Sequence, residues 1–317
     1  MKLFHVFFIA TFIFQISLSA RAVTENKKNN VADSPISVSQ KTEVDEADQL
    51  ITNRRLRADT GSLSLWSVST AFTYQGGSLA APGDPKRPNI VKGADALTLQ
   101  NLTGDMGVKY RTSKLLSFTM STGLFMTTPF HESIKTNDKK LRNNFDENHQ
   151  KMTVNDPVVK TTYLNKFFDV QSVSNAKLTL VTNNQQKLDG YRWSYYVSQD
   201  FMKQMNKLSY GVKVAIQAYS FSKENDSLTD KVFGVYPALE YEISEKLNFR
   251  TVFGTWIYQH IRSDDSNTYE KRKVYQSLGL GITLGRNVFL YPNIQYVPSD
   301  IRADRTNIAL STNINLF

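Results

Sequence analysis

Two-residue alternation of apolar and polar side chains is the feature that most restricts how this chain can fold. It recurs from Gly61 to Phe317 in segments of roughly 9–14 residues. In the last segment, NIALSTNINLF, residues such as Ile308 and Leu310 alternate with serine or asparagine. Side chains two residues apart share one face of an extended strand. Each segment therefore predicts a strand with one apolar and one polar face.

We predict twelve strands, and polar turns separate them. The predicted bounds are residues 62–75, 103–112, 115–127, 157–168, 173–182, 190–201, 207–221, 232–243, 247–261, 271–285, 287–297 and 307–317. Segments 157–168 and 173–182 alternate less regularly than the others, and segment 247–261 places Ile257 on the apolar face. Short connections alternate with long ones, and the long loops 76–102 and 128–156 show no sustained strand pattern.

The N-terminal residues predict secretion. Lys2 precedes the apolar run LFHVFFIATFIFQISLS and the small-residue site Ala20-Arg21-Ala22, which together indicate a signal peptide at residues 1–22. Cleavage after Ala20 or after Ala22 fits equally, and an uncleaved anchor is the alternative. Residues 23–60 form a polar extension in which 44–57 predicts a short helix. The chain has no cysteine, which excludes disulfides and thiolate chemistry.

The apolar faces of these strands are expected to meet lipid. Their lengths match the roughly 9–11 residues that a tilted strand needs to cross a bilayer. Polar faces rich in serine, threonine, glycine and asparagine suit a confined aqueous space, whereas a soluble sandwich would expose them to bulk water. Because lipid cannot hydrogen-bond to backbone groups, such a sheet must close on itself.

The signal peptide, the even series of strands and the terminal Phe317 resemble those of Gram-negative outer-membrane β-barrel proteins over residues 61–317. The resemblance implies an all-β fold: a single transmembrane antiparallel β-barrel of about twelve strands with a short N-terminal periplasmic extension. It also implies contact with outer-membrane lipid and with the barrel-assembly machinery, for which Phe317 would be the assembly signal. Asn313 and Asn315 share the phase of Phe317, which departs from the usual apolar pattern.

The alternation directs eleven charged side chains into the lumen. Seven are basic and four are acidic, namely Asp105, Lys109, Arg111, Lys177, Arg192, Asp200, Lys213, Glu240, Glu242, Arg250 and Lys273. Charges in a pore set ion preference, so this set predicts passive passage of small hydrophilic solutes with mild anion preference. The alternative is a non-conducting barrel for adhesion, surface recognition or envelope structure through its long loops. Segment 44–57 is a candidate plug of the lumen.

An enzyme is the third hypothesis, and we predict none. Outer-membrane phospholipases carry a His-x-Ser-Asn-Gly pattern, but here Ser263 follows His260 by three residues, which places the two on opposite faces of a strand. Acidic loop residues that could mimic protease dyads or bind Ca²⁺ are expected to be solvated; they are Asp84, Asp226, Asp230, Asp264 and Asp265. His131 and His149 share a loop without zinc-ligand spacing. No cofactor or metal is predicted. No nucleic-acid partner is predicted either, since no block of the chain is densely basic.

Overall fold

In the computed structural model, the described residues are 46–131, 152–222, 227–265 and 267–316. The predicted signal peptide 1–22, most of the extension 23–60, His149, Asp226 and Phe317 lie outside them. The helices are α1 (Glu46–Leu50), α2 (Arg54–Thr60) and α3 (Asn184–Leu188), with 3₁₀ turns at Ile90–Lys92 and Ala303–Arg305. Within the described residues, no helix is long and apolar enough to cross a bilayer.

Sixteen strands are present in the described residues. They are β1 (Trp66–Ser78), β2 (Lys86–Pro88), β3 (Leu97–Leu99), β4 (Asn101–Arg111), β5 (Leu116–Thr127), β6 (Met152–Phe167), β7 (Val170–Leu180), β8 (Tyr191–Met205), β9 (Leu208–Phe221), β10 (Thr229–Ser244), β11 (Leu247–Gly254), β12 (Trp256–Ile261), β13 (Glu270–Lys271), β14 (Tyr275–Thr283), β15 (Val288–Tyr296) and β16 (Asn307–Leu316). Strands β11 and β12 follow one line of the wall, and so do β13 and β14. The short strands β2 and β3 form a separate hairpin.

The wall is a closed antiparallel barrel of twelve strands, which confirms the predicted fold class. Each strand pairs with the next in sequence, and β16 closes the ring against β1 from Val68–Leu316 to Ser78–Asn307. Connections such as 168–169 and 206–207 are short and lie at one end of the barrel. Connections such as 79–100 and 297–306 are long and lie at the other. We call these the short-turn end and the long-loop end.

The outer surface of the barrel is apolar. Large hydrophobic side chains point outward and stay exposed, as Met120 does at 70% and Val108 at 48%. Small polar side chains of the alternate phase, such as Ser67 and Thr119, are buried at 3% and 2%. A contiguous exposed apolar surface of this kind marks contact with lipid or protein, and around a closed barrel it matches a lipid-facing band.

Two sequence predictions about the wall were wrong. First, both predicted long loops contain strand residues. β6 begins at Met152, inside the predicted loop 128–156. Loop 76–102 contains the β2–β3 hairpin, whose pairs run from Lys86–Leu99 to Pro88–Leu97. Strands of three residues are too short to produce a recognisable alternation. Second, Ile257 points inward and is 5% exposed.

The change of phase at Ile257 follows from a β-bulge at Thr255. Ala238 of β10 pairs with Val252, and Gly234, four residues earlier, pairs with Ile257, five residues after Val252. One extra residue on one strand reverses the direction of every side chain that follows. Trp256 therefore points outward and is 49% exposed.

A charge on the outer wall tests this orientation. We expect Met120→Arg to destabilise the bilayer-inserted barrel by about 2–4 kcal/mol, because the guanidinium would be held among lipid chains. Ser69→Arg, whose side chain enters the lumen, serves as the control and should cost well under half of that. Urea-dependent folding into lipid vesicles measures both values. Equal costs would contradict a lipid-facing Met120.

Candidate functional site

The lumen at the short-turn end is filled by residues 46–60, which we call the plug segment. Its α2 helix makes hydrogen bonds to strands on different sides of the barrel. Asn53 Nδ2 donates to Glu240 on β10 and Asn315 Nδ2 on β16 donates to the Ala58 carbonyl, both at 2.8 Å. Lys109 Nζ on β4 donates to the Thr60 carbonyl at 2.8 Å. The plug segment therefore crosses the lumen, as proposed for 44–57 from the sequence.

The plug segment is two helices rather than one. The Asn53 side chain accepts from the Leu56 amide at 3.0 Å and caps α2. The amides of Thr52 and Asn53, which lie between the two helices, donate to Gln171 Oε1 at 2.8 and 2.7 Å. Satisfying these free amides with a side chain of the wall lets the chain turn between α1 and α2 inside the barrel.

Apolar contacts hold the plug segment against one side of the wall. Ala47, Ile51 and Leu56 are each no more than 1% exposed. They form one cluster with three inward-facing side chains of the wall, which are Leu164 on β6, Val173 on β7 and Met202 on β8. Burial of these side chains removes apolar surface that would otherwise face an aqueous lumen.

Arg55 is the electrostatic centre of the plug segment. Its guanidinium contacts Asp59 at 2.7 Å, Glu240 at 3.3 Å and Asp200 at 3.5 Å. The Arg55 and Glu240 side chains are only 12% and 3% exposed. Burial alone would lower the pKa of Arg55, but the three carboxylates together raise it above its usual value. Arg55 is therefore a permanent buried cation that neutralises acids of both the helix and the wall.

Neighbouring basic residues complete the charge balance around Arg55. Arg250 Nε lies 3.0 Å from Glu240, and Lys213 Nζ lies 3.5 Å from Asp200. Burial is the main reason that the pKa of Asp59 is raised, although Arg55 opposes that shift. Removal of any one member would leave an uncompensated charge in a poorly solvated interior.

A polar cavity of about 530 Å³ extends from α2 toward α3 at the long-loop end. Seven charged side chains line it, namely Asp59, Asp105, Asp156, Lys160, Lys177, Asp200 and Lys213. A second cavity of about 360 Å³ shares Tyr196, Asp200 and Lys213 and reaches Tyr236 on β10 and Tyr275 on β14. The long-loop half of the lumen therefore has room for small polar solutes.

The structure distributes the eleven predicted lumen residues over three levels. Four of them line the larger cavity, which are Asp105, Lys177, Asp200 and Lys213. Five lie at the plug segment or the short-turn rim, namely Lys109, Arg111, Glu240, Glu242 and Arg250. Arg192 and Lys273 are exposed at the long-loop end, because Arg192 lies at a bulge of β8 and Lys273 lies between β13 and β14. All eleven lie within the described residues, and only these two are exposed.

Arg55, Asp59 and Lys160 are lumen residues that were not predicted from the sequence. Lys160 lies in segment 157–168, whose alternation is blurred because inward Val158 and Leu164 are also apolar. Arg55 and Asp59 lie in the extension, where no strand pattern identifies a lumen residue. The only signal available was an acidic residue four positions after Arg55, two residues beyond the end of the predicted helix 44–57.

His260, the histidine of the predicted phospholipase-like segment, has both ring nitrogens in hydrogen bonds. His260 is buried, with Nδ1 2.6 Å from Asp230 Oδ1 and Nε2 3.2 Å from the Asp265 carbonyl. Because both ring nitrogens are occupied, neither is free to activate Ser263. Within residues 46–131, 152–222, 227–265 and 267–316, no cluster of three or more potential metal ligands is present.

Comparisons with known proteins add similarity of architecture. No family model and no curated protein matches this chain. Among solved structures, the chain is similar to the NanC porin (TM-score 0.43, 11% identity, 79% of this chain and 98% of that one). It is also similar to an outer membrane channel from Pseudomonas putida F1 (0.45, 10%, 81% and 97%) and to LpxR from Salmonella typhimurium (0.39, 9%, 78% and 99%). At such scores these likenesses carry no argument about the site.

Loss of the Arg55 charge should release the plug segment. We expect Arg55→Gln to weaken its docking by about 3–5 kcal/mol, because Glu240 and Asp200 lose a buried partner. Hydrogen exchange of the amides in 46–60 should then speed up by more than about a hundredfold while the strands stay protected.

Arg302 provides the matched control for this experiment. It pairs with Asp300 at 3.2 Å near the long-loop end and is 56% exposed. Arg302→Gln should leave exchange in 46–60 unchanged, since exposed pairs contribute little. If Arg55→Gln also left that exchange unchanged, Arg55 would not be what docks the plug segment.

Proposed function

We propose that this protein is an outer-membrane channel for passive passage of small hydrophilic solutes, restricted at the short-turn end by the plug segment. The observation that carries the proposal is a polar cavity of about 530 Å³ enclosed by a barrel whose outer wall is apolar. A barrel that served only as an anchor would have no need of such a space, because smaller barrels fill their interior with side chains.

The charges of the cavity support a mild anion preference. Asp59 and Asp200 are engaged by Arg55 and Lys213. Asp156 accepts from the amides of Thr182 and Asn183 at 2.7 and 3.1 Å, so its charge is already stabilised by backbone donors. Among the charged residues that line the cavity, this leaves two positive charges, Lys160 and Lys177, and one negative charge, Asp105. The wall that a solute meets therefore carries a small excess of positive charge.

The second candidate is the non-conducting barrel that acts through its long loops. Two observations favour it: the plug segment obstructs the short-turn end, and ion pairs join two of the described loops at the long-loop end. Arg305 contacts Asp300 at 2.6 Å and also pairs with Asp95 of the loop that carries the β2–β3 hairpin. Such a surface would suit recognition rather than passage.

Single-channel recording of the refolded mature protein separates the two functions. We expect small unitary steps from the mature chain and larger ones after deletion of residues 23–58, because that deletion removes α1 and most of α2 from the lumen. A folded deletion variant that stays silent would overturn the channel proposal and favour the recognition role. Conductance that the deletion leaves unchanged would show that the plug segment does not restrict passage.

The sign of the reversal potential tests ion preference separately. In a salt gradient across the bilayer we expect a reversal potential displaced modestly toward that of chloride. The Lys160→Gln, Lys177→Gln double variant should move it toward zero while conductance persists. Lys207→Gln is the control, because Lys207 is exposed in the turn between β8 and β9 and does not line the cavity. A cation-selective potential in the wild-type protein would overturn the anion preference.

A further inference from the structure

Two lysines face each other across neighbouring strands in the cavity wall. Lys160 on β6 pairs directly with Lys177 on β7, and both line the larger cavity. Side chains directly opposite each other in an antiparallel sheet lie close together, with Cβ atoms about 4.5–5.5 Å apart. Like charges in that position are destabilising, and the lumen around them is far less solvated than an open surface.

The carboxylates of the described residues act on this pair only from beyond ion-pair distance. Among the described residues, no carboxylate oxygen lies within 4.0 Å of the side-chain nitrogen of either lysine. Asp59 is held by Arg55 at 2.7 Å and Asp200 by Lys213 at 3.5 Å. Asp105 lines the same cavity, but at a greater distance than an ion pair requires. The two ammonium groups therefore lie beside open space without an ion-pair partner among the described residues, and the more distant Asp105 attracts Lys160.

Neutral polar side chains surround the pair. Asn175 and Thr179 lie two residues to either side of Lys177 and share its face of β7. Asn175 accepts from Thr162 Oγ1 at 2.9 Å through its carbonyl oxygen, which leaves its amide hydrogens available as donors. Tyr196 pairs with Lys177 from β8 and also lines the cavity. The wall here offers two cations and several hydrogen-bond donors to an oxyanion.

We propose that Lys160 and Lys177 form a binding site for a small oxyanion with two negative charges, such as a phosphate or a dicarboxylate. Its oxygens would bridge the two ammonium groups and remove their repulsion. Charge-assisted hydrogen bonds of this kind are the stronger ones in proteins. Such a site names the solute class of the proposed channel. Its role in transport rests on that proposed function, whereas anion binding itself does not.

Calorimetric titration of the refolded mature protein with inorganic phosphate tests the site, and succinate in a parallel titration separates the phosphate and dicarboxylate sources. We expect one of the two to bind saturably to the wild-type protein. Lys160→Gln, Lys177→Gln should weaken that binding at least about tenfold, whereas Lys207→Gln should leave it unchanged. Absence of saturable binding to either anion would overturn the proposal, and so would equal losses in the double and control variants.

Thermal unfolding gives a readout that a purely structural role would not produce. In buffer free of both anions, Lys160→Gln should be at least as stable as the wild type, because one half of a repulsive pair is gone. The bound anion should raise the Tm of the wild type and not that of the variant. A variant that is less stable and still responds to the anion would contradict the site.

The two proposals fail in different ways. Conductance without anion binding would leave the channel standing and remove this site. Binding without conductance in the deletion variant of 23–58 would keep the site and assign it to a barrel that recognises anions rather than passing them.

Discussion

Backbone hydrogen bonding between the first and last wall strands is the constraint on which the rest of this structure depends. A strand edge left open in lipid would expose a row of unpaired amides and carbonyls, each costing several kcal/mol. The β1–β16 pairing removes that edge. Once the ring is closed, every other side chain must face lipid, and the remaining ones share a single narrow interior. Polar chemistry in this protein is thereby confined to the lumen.

Around the plug segment, buried charge is compensated by charge of the opposite sign. Arg55 sits among three carboxylates, two of which are themselves paired with Lys213 and Arg250. A buried ion network of this kind contributes less to net stability than its short distances suggest, because desolvation offsets much of the attraction. The main effect of the network is to fix the position of the plug segment in the lumen. Alternative placements of α2 would leave the buried Arg55 guanidinium without its carboxylate partners, which favours the docked arrangement that the structure shows.

Most of the wall was predictable from alternation, and the exceptions have physical causes. Segments 157–168 and 173–182 alternate poorly because Leu164 and Val173 face inward yet are apolar, packing against α1 and α2. Their irregular pattern marks where the plug segment docks. The reversal at Thr255 was not predictable, since a bulge depends on the registers of both strands and leaves no composition signal. The role of Arg55 was not predictable either, because two of its three partners, Asp200 and Glu240, are distant in the sequence.

The connection between plug and wall has a consequence for how an open state would behave. Only residues 61–65 separate α2 from β1. A plug segment that left its place would therefore remain at the rim as a tethered ligand of its own barrel, at an effective concentration in the millimolar range or above. Its return would be a unimolecular event, independent of how much protein the membrane holds. Opening would be brief and self-reversing unless something outside the barrel retained the released segment.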